Sequence, residues 1–343
     1  MVCDASNALN GGEKSGKMVA RIYLEFRRLK FYGVLSYLSM YPHRIGVLFT
    51  RVLLRRRYYS RNFDGFSMLL DLRDGGISSI LATAGSREEE TITILRQELE
   101  SGMTVFDFGA NIGFYGLFCA NIVGPTGYIL SVEPEVRNFD LLKKNVDRNG
   151  LNQMFDIWQI AISNTTGSGK LFIHKQANLH SLTTSSSLNQ HRNGTEEMVN
   201  LVSARDFIGS NLGKHPQIDL IRMDIEGHEV EVLESLADAV KEFDIHPKIL
   251  FENHYPKYME RPNNMRHSLQ RLFDLGYYPK TLASTDERLA YLHKLGYFPK
   301  EVVKASMRMR GLYEGVSNED AIDVICERGT IRTTLLSWKP GPS

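Results

Sequence analysis

Cysteine is scarce: Cys3, Cys119 and Cys326 are the three, none in Cys-x-x-Cys spacing and one always left over. That excludes a disulfide frame and argues against a structural zinc. Charge of one sign is also missing, with 41 basic against 40 acidic side chains and a net charge of +1, so a global polyanion-binding role and nucleic acid as partner are not expected. No long apolar run occurs. The longest uncharged stretch near the start, Phe31 to Pro42, is shorter than the roughly 20 residues a membrane span needs. Met1 to Lys17 is polar and glycine-rich without the apolar segment of a secretory signal, so cytoplasm is the expected compartment. Gly11 to Lys17 imitates a phosphate-binding loop, but Met18 replaces the required Ser or Thr and no strand precedes it.

What is present centres on Met103 to Glu133. An apolar run to Phe108 stops at Gly109-Ala110-Asn111-Ile112-Gly113, a helical pattern follows to Val123, and a second apolar run ends on Glu133. Strand, glycine turn and helix form a site where a ligand meets bare backbone N–H groups, and an acid ending the next strand sits where a ribose presents its hydroxyls. S-adenosylmethionine and dinucleotides both satisfy this. Asn111 stands where a dinucleotide fingerprint needs its second glycine, and Asp107 is placed to pair with the amino group of a methionine moiety, so S-adenosylmethionine is favoured.

Asp107-Phe-Gly-Ala-Asn-Ile-Gly-Phe-Tyr, Val132-Glu-Pro-Glu-Val-Arg-Asn-Phe and Asp219-Leu-Ile-Arg-Met-Asp-Ile-Glu-Gly-His-Glu together resemble the FkbM-type S-adenosylmethionine-dependent methyltransferases, from about Ser67 to Thr281. The resemblance implies a class I methyltransferase fold: a doubly wound, mostly parallel, seven-stranded Rossmann-like α/β sheet. It implies methylation of varied hydroxyls, many on sugars and natural products. Cofactor contacts are expected from Asp107, Gly109, Ala110, Asn111, Gly113 and Glu133, and from Ala161 at the adenine edge. Arg222 stands where the family more often has Lys. No Asn-Pro-Pro-Tyr-like segment follows the fourth strand, a poor fit to a nucleic-acid amino-methyltransferase.

Removing a hydroxyl proton needs a carboxylate, an imidazole or a divalent metal. Asp224 and Glu226 follow the fourth strand, and Glu252 and His254 the fifth. The expected assignment makes Asp224 or His254 the base, with Glu226 and Glu252 holding acceptor hydroxyls and Glu229 bracing from behind. A divalent ion held by this set is the less favoured mechanism, and His228 is expected exposed on the following helix. The acceptor is a small molecule or glycan. The competing class is a non-catalytic, membrane-attached scaffold that binds S-adenosylmethionine without turnover.

Residues 1–62 read as a basic, aromatic, helical region before a methyltransferase domain over 63–343. Between Lys17 and Arg61 eleven basic residues face a single acid, Glu25. This stretch is expected either to cap the domain or to touch the inner face of an anionic membrane through residues 18–61. Ser86 is expected to cap a helix starting Arg87-Glu88-Glu89-Glu90, whose acids answer the helix dipole. Residues 180–194 form a polar loop that suits a lid. Leu275-Gly-Tyr-Tyr-Pro-Lys and Leu295-Gly-Tyr-Phe-Pro-Lys each read as a helix end followed by an extended exit. The stretch 284–329 is expected to be a mostly helical insertion before a last antiparallel strand at 331–338.

Overall fold

The computed structural model describes residues 41–173, 182, 195–258, 265–305 and 308–340. The loop singled out as a lid lies outside them apart from Leu182, as does the region before Tyr41.

The described residues begin with helix α1 (Tyr41–Leu48), followed by the hairpin β1 (Tyr58–Asn62) and β2 (Ser67–Asp71). Strand β1 pairs along its length with β2, across the division expected at 62. Helix α2 (Ile77–Thr83) had no counterpart in the sequence reading. Helix α3 (Glu89–Glu98) follows, but Ser86 does not cap it: the residue before it is Glu88, in the left-handed region at φ 49°.

The central unit alternates strand and helix: β3 (Thr104–Phe108), α4 (Phe114–Val123), β4 (Tyr128–Val132), α5 (Val136–Arg148) and β5 (Phe155–Trp158). Strand β5 ends at Trp158. Its continuation β6 (Ala161–Ser163) joins β7 (Gly167–Ile173) and β8 (Thr195–Ser203) in a separate three-stranded sheet. Then come α6 (Ala204–Asn211), β9 (Leu220–Met223), α7 (Glu229–Phe243), β10 (Lys248–Glu252), the short α8 (Tyr255–Tyr258), α9 (Met265–Asp274) and β11 (Tyr277–Ser284).

Residues 284–329 are not mostly helical. They carry the hairpin β12 (Glu301–Ala305) and β13 (Arg308–Tyr313) beside short helical turns and α10 (Asn318–Ile322), before β14 (Ile331–Trp338). The two Leu-Gly-Tyr motifs do what their chemistry suggests: Gly276 and Gly296 are left-handed, and the exits lead into β11 and β12.

The main sheet runs β12-β13-β11-β14-β10-β9-β3-β4-β5. Strands β10, β9, β3, β4 and β5 are parallel; β14 lies antiparallel between β10 and β11, so β11 runs in the direction of the parallel set and β14 is the one reversed strand of the expected doubly wound core. The insertion hairpin adds two strands at that edge. Central strands are apolar on both faces because helices cover both. Alternate residues feed opposite cores: Phe106 and Phe108 pack with α6, α7 and α9, while Val105 packs with α3, α4 and α5.

Candidate active site

Register brings the functional residues out together. Phe108 pairs with Val132 on one side and Met223 on the other, and Met223 pairs with Phe251. The next residues in each strand direction, Gly109, Glu133, Asp224 and Glu252, therefore emerge at one level. The order reverses at β3, the switch point where open α/β sheets bind ligands.

The Gly109 turn is tight for a reason. Gly109 has φ 77°, and a Cβ there would lie 2.2 Å from the Asp224 carbonyl oxygen, so the two strand ends approach only because the side chain is absent. Asn111 takes the left-handed conformation that asparagine tolerates, φ 51°. Its N–H donates to Glu133 Oε2 at 2.9 Å, and the Glu135 N–H donates to Oε1 at 3.0 Å. Burial drives Glu133 up to about 7 even though these N–H groups favour its charged form. Behind the turn, buried Asn145 donates to the Ile112 carbonyl at 2.9 Å and accepts from the Leu69 N–H at 2.7 Å, tying the loop to β2.

One cleft, about 750 Å³ counted to its open mouth, joins the two halves of the prediction. Gly109, Ala110, Asn111, Glu133 and Ala161 line it together with Asp224 and Glu226. Asp107, Gly113, Glu252 and His254 do not. Gly113 closes the turn against Leu142, and Asp107, 1% exposed, accepts from Arg222 at 3.1 Å. The cation facing Asp107 is thus the guanidinium of Arg222, which itself lines the cleft, and not directly a ligand's amino group. Arg222 also donates to the Gly109 carbonyl at 3.3 Å and to Asp224 Oδ2 at 3.1 Å, and lies 4.1 Å over the Tyr115 ring. Arg87 approaches the same Oδ2 at 3.5 Å. Asp224 Oδ1 is buried and accepts no hydrogen bond.

Below Asp224, His254 is ringed by acids. Its Nδ1 is 3.0 Å from Glu229 Oε1, and its Nε2 lies 3.4 Å from Glu226, 3.4 Å from Glu252 and 3.8 Å from Asp224. Glu229, fully buried, also accepts from the Ile225 and Gly227 N–H groups and from the Tyr258 hydroxyl. Burial alone would lower His254, but Glu229, Glu226 and Asp224 outweigh it and raise it to about 9. Burial would raise Glu229, yet His254 and the N–H donors bring it down to about 2. His228 is not exposed on its helix as expected: it is half-buried, with Nε2 2.9 Å from Ser163 Oγ.

This pair has a pH signature. His254 contributes stability that is complete below its usual value of 6.5 and is lost as pH rises through about 9; Glu229 contributes above 4.5 and loses it as pH falls through about 2. Melting curves between pH 6.5 and 9 should show the wild-type Tm falling with pH, and Glu229→Gln should flatten that slope by withdrawing the main support of the imidazolium. Parallel slopes would contradict the pairing.

Sequence reasoning missed Arg87, Glu88, Tyr115, Lys257 and Arg332. Glu88, read as a dipole acid, is buried on Arg87 and the Tyr115 hydroxyl, and is held down at about 2 by Arg87 and Arg332 against its burial. Lys257 bonds Glu226 Oε2 at 2.6 Å, and Arg332 pairs with Glu252. The one usable signal was Lys257, a helical turn beyond His254. Asp224, Glu229 and His254 have ligand atoms within 4.8 Å of one another, as do Glu88, Asp224 and Glu252. Every one of these carboxylates already faces an arginine, lysine or histidine, so the cluster is charge-matched without an added divalent ion.

A doubly wound sheet with a glycine turn and acids at its switch point is the architecture expected of a class I methyltransferase domain, and residues 107–299 match the Methyltransferase FkbM domain family. The chain belongs to that family. Among characterised proteins it is 25% identical over 158 residues to the hexuronic acid methyltransferase AglP of Haloferax volcanii, covering 45% of this chain and 58% of that one. Solved structures like it include an O-methyltransferase from Bacillus cereus in complex with S-adenosylhomocysteine (TM-score 0.37, 11% identity, 73% of this chain and 80% of that one). Another is a SAM-dependent O-methyltransferase from Thermotoga maritima (TM-score 0.38, 10% identity, 84% and 88%). The fold assignment rests on the strand order itself.

Proposed function

We propose that the protein is an O-methyltransferase acting on a hydroxyl of a carbohydrate, glycolipid or secondary metabolite. The observation that carries this reading is the shared cleft, in which the glycine turn, Glu133 and Ala161 face the same space as Asp224 and Glu226. The relative's printed substrate, a hexuronic acid, supports a sugar acceptor. S-adenosylmethionine supplies, when bound, an electrophilic methyl group with a neutral thioether as leaving group. The residues fit it: bare backbone at Gly109, a carboxylate at Glu133 whose oxygens have lone pairs left for hydroxyls, and small Ala161 at the edge.

The protein's own part is alignment and proton removal. His254, raised to about 9, already holds its proton at neutral pH, which leaves Asp224 as the base of the two candidates. Arg222 and Arg87 hold Asp224 Oδ2, so Oδ1 is the atom that takes the acceptor's proton as the new oxygen–carbon bond forms. Glu226, fixed by Lys257, positions a neighbouring hydroxyl, while Glu229 and Glu252, the latter held by Arg332 outside the cleft, position His254.

Calorimetry with S-adenosylmethionine and S-adenosylhomocysteine should show binding of both, and tritiated-methyl transfer into a saccharide and glycolipid extract should give a labelled product. Label surviving mild alkali marks an ether, as a hydroxyl acceptor requires; label released as methanol marks a carboxyl ester and overturns it. Activity is expected to persist after exhaustive EDTA treatment, whereas loss restored by Mg²⁺ would replace the carboxylate base with a metal.

A further inference from the structure

Of the large apolar side chains exposed among the described residues, more than half fall between Tyr41 and Leu54. Ile45 is 63% exposed, Leu48 62%, Phe49 49%, Val52 63% and Leu53 68%. With Tyr41 they recur at helical spacing on one side of α1 and the turn that continues it to Leu53, and no residue of either is buried. The opposite side is the attached one. His43 Nδ1 is 3.2 Å from the Tyr59 hydroxyl, Gly46 lies against the same ring, and Val47 packs on the core. The apolar row is thus directed away from the body that anchors the helix.

Its charge is one-sided. From Tyr41 to Asn62 there is no Asp or Glu, while Arg51, Arg55 and Arg56 are exposed beside the row. Just beyond, a groove of about 580 Å³ is lined by Arg56, Arg57, Tyr58, Ser60 and Arg148. A protein partner's interface would pair such arginines with acids of its own; a bilayer with anionic headgroups answers both features at once, taking the apolar row among its acyl chains and the arginines at its phosphates. Among the described residues no helix is long and apolar enough to cross a membrane, and the turns from Tyr41 to Leu53 reach only roughly 20 Å against a core of about 30 Å.

We infer that Tyr41–Leu53 docks the protein on an anionic lipid surface, lying in its plane with Ile45, Leu48, Phe49, Val52 and Leu53 inserted and Arg51, Arg55 and Arg56 at the headgroups. Helix α2 packs against α1 and contributes Ile77 to the cleft, so the docked face and the site share one element.

Flotation of the full chain tests this with two vesicle types, phosphatidylcholine alone and phosphatidylcholine mixed with phosphatidylglycerol. The wild type should float with the mixed vesicles, less so as salt rises, and stay behind with phosphatidylcholine alone. The triple variant I45S/L48S/V52S should lose about tenfold or more of the bound fraction, and R51Q/R55Q/R56Q should lose most of the preference for phosphatidylglycerol. An unchanged thermal shift with S-adenosylhomocysteine certifies that each variant is folded, and it is independent of whether an acceptor is methylated. Wild type that does not float with the mixed vesicles, or a triple serine variant that floats equally, overturns the inference. A solution mass that drops from dimer to monomer in that variant, without vesicle binding by the wild type, assigns the face to a second copy instead.

Discussion

Asp224→Asn is expected to lower methyl transfer by about 10²–10⁴-fold, the usual worth of a positioned general base, while leaving S-adenosylhomocysteine affinity unchanged. The substitution keeps the side chain's size and an oxygen for Arg222 and Arg87, but offers nothing basic to a hydroxyl proton. Oδ2 of the native carboxylate is held by two guanidiniums; Oδ1 is buried, accepts no hydrogen bond, lies 3.8 Å from His254 Nε2 and belongs to a residue that lines the cleft. Glu226→Gln should behave differently. Its Oε2 is bonded to Lys257, and the loss should fall on KM more than on kcat because a hydroxyl contact present before the transition state is weakened. Full turnover by Asp224→Asn would remove this residue from the chemistry and return the base to an open question, with His254 the first to retest above pH 9.

The glycine turn and the acids flanking it were legible because their signal is local. Four positions, Asp107, Gly109, Gly113 and Glu133, sit at intervals dictated by one strand, one turn and one helix, and a sequence displays such intervals directly. Even so, spacing could not tell a lining residue from a supporting one. Asp107 and Gly113 match the motif as well as Gly109 does, yet one is turned onto Arg222 and the other onto Leu142. The acids after β9 and β10 were legible for the same reason, as polar residues ending apolar runs.

What escaped was brought in by topology. Arg332 reaches Glu252 because β14 returns antiparallel beside β10, pairing Glu252 with Thr333, and nothing near residue 332 announces that neighbour. Glu88 was assigned to a helix start on composition, but its left-handed backbone turns it into the site, a conformation that glutamate's preferences do not suggest. The insertion hairpin was hidden by its brevity: Glu301–Ala305 and Arg308–Tyr313 are edge strands of few residues, where alternation and helical period are hard to separate.

The largest stability effect should come from Arg222→Met, at roughly 3–5 kcal/mol, because it strips the cation from a carboxylate that cannot reach water. Burial already drives Asp107 above its usual value, and Arg222 pulls it only part of the way back. Without the arginine, the folded-state value climbs further above the unfolded 3.8, so the folded form binds a proton that the unfolded form does not, and stability falls as pH rises through that window. Low pH should therefore recover much of the lost Tm. The double variant Arg222→Met/Asp107→Leu should recover it at neutral pH as well, since removing both charges leaves an apolar pair and no unmatched ion. Asp224, which shares the same guanidinium but keeps Arg87 and partial solvent contact, should add little to the penalty. A double variant no more stable than the single one would show that the cost lies in the lost stacking on Tyr115 and the freed Gly109 carbonyl, and that Asp107 is not what Arg222 is there to hold.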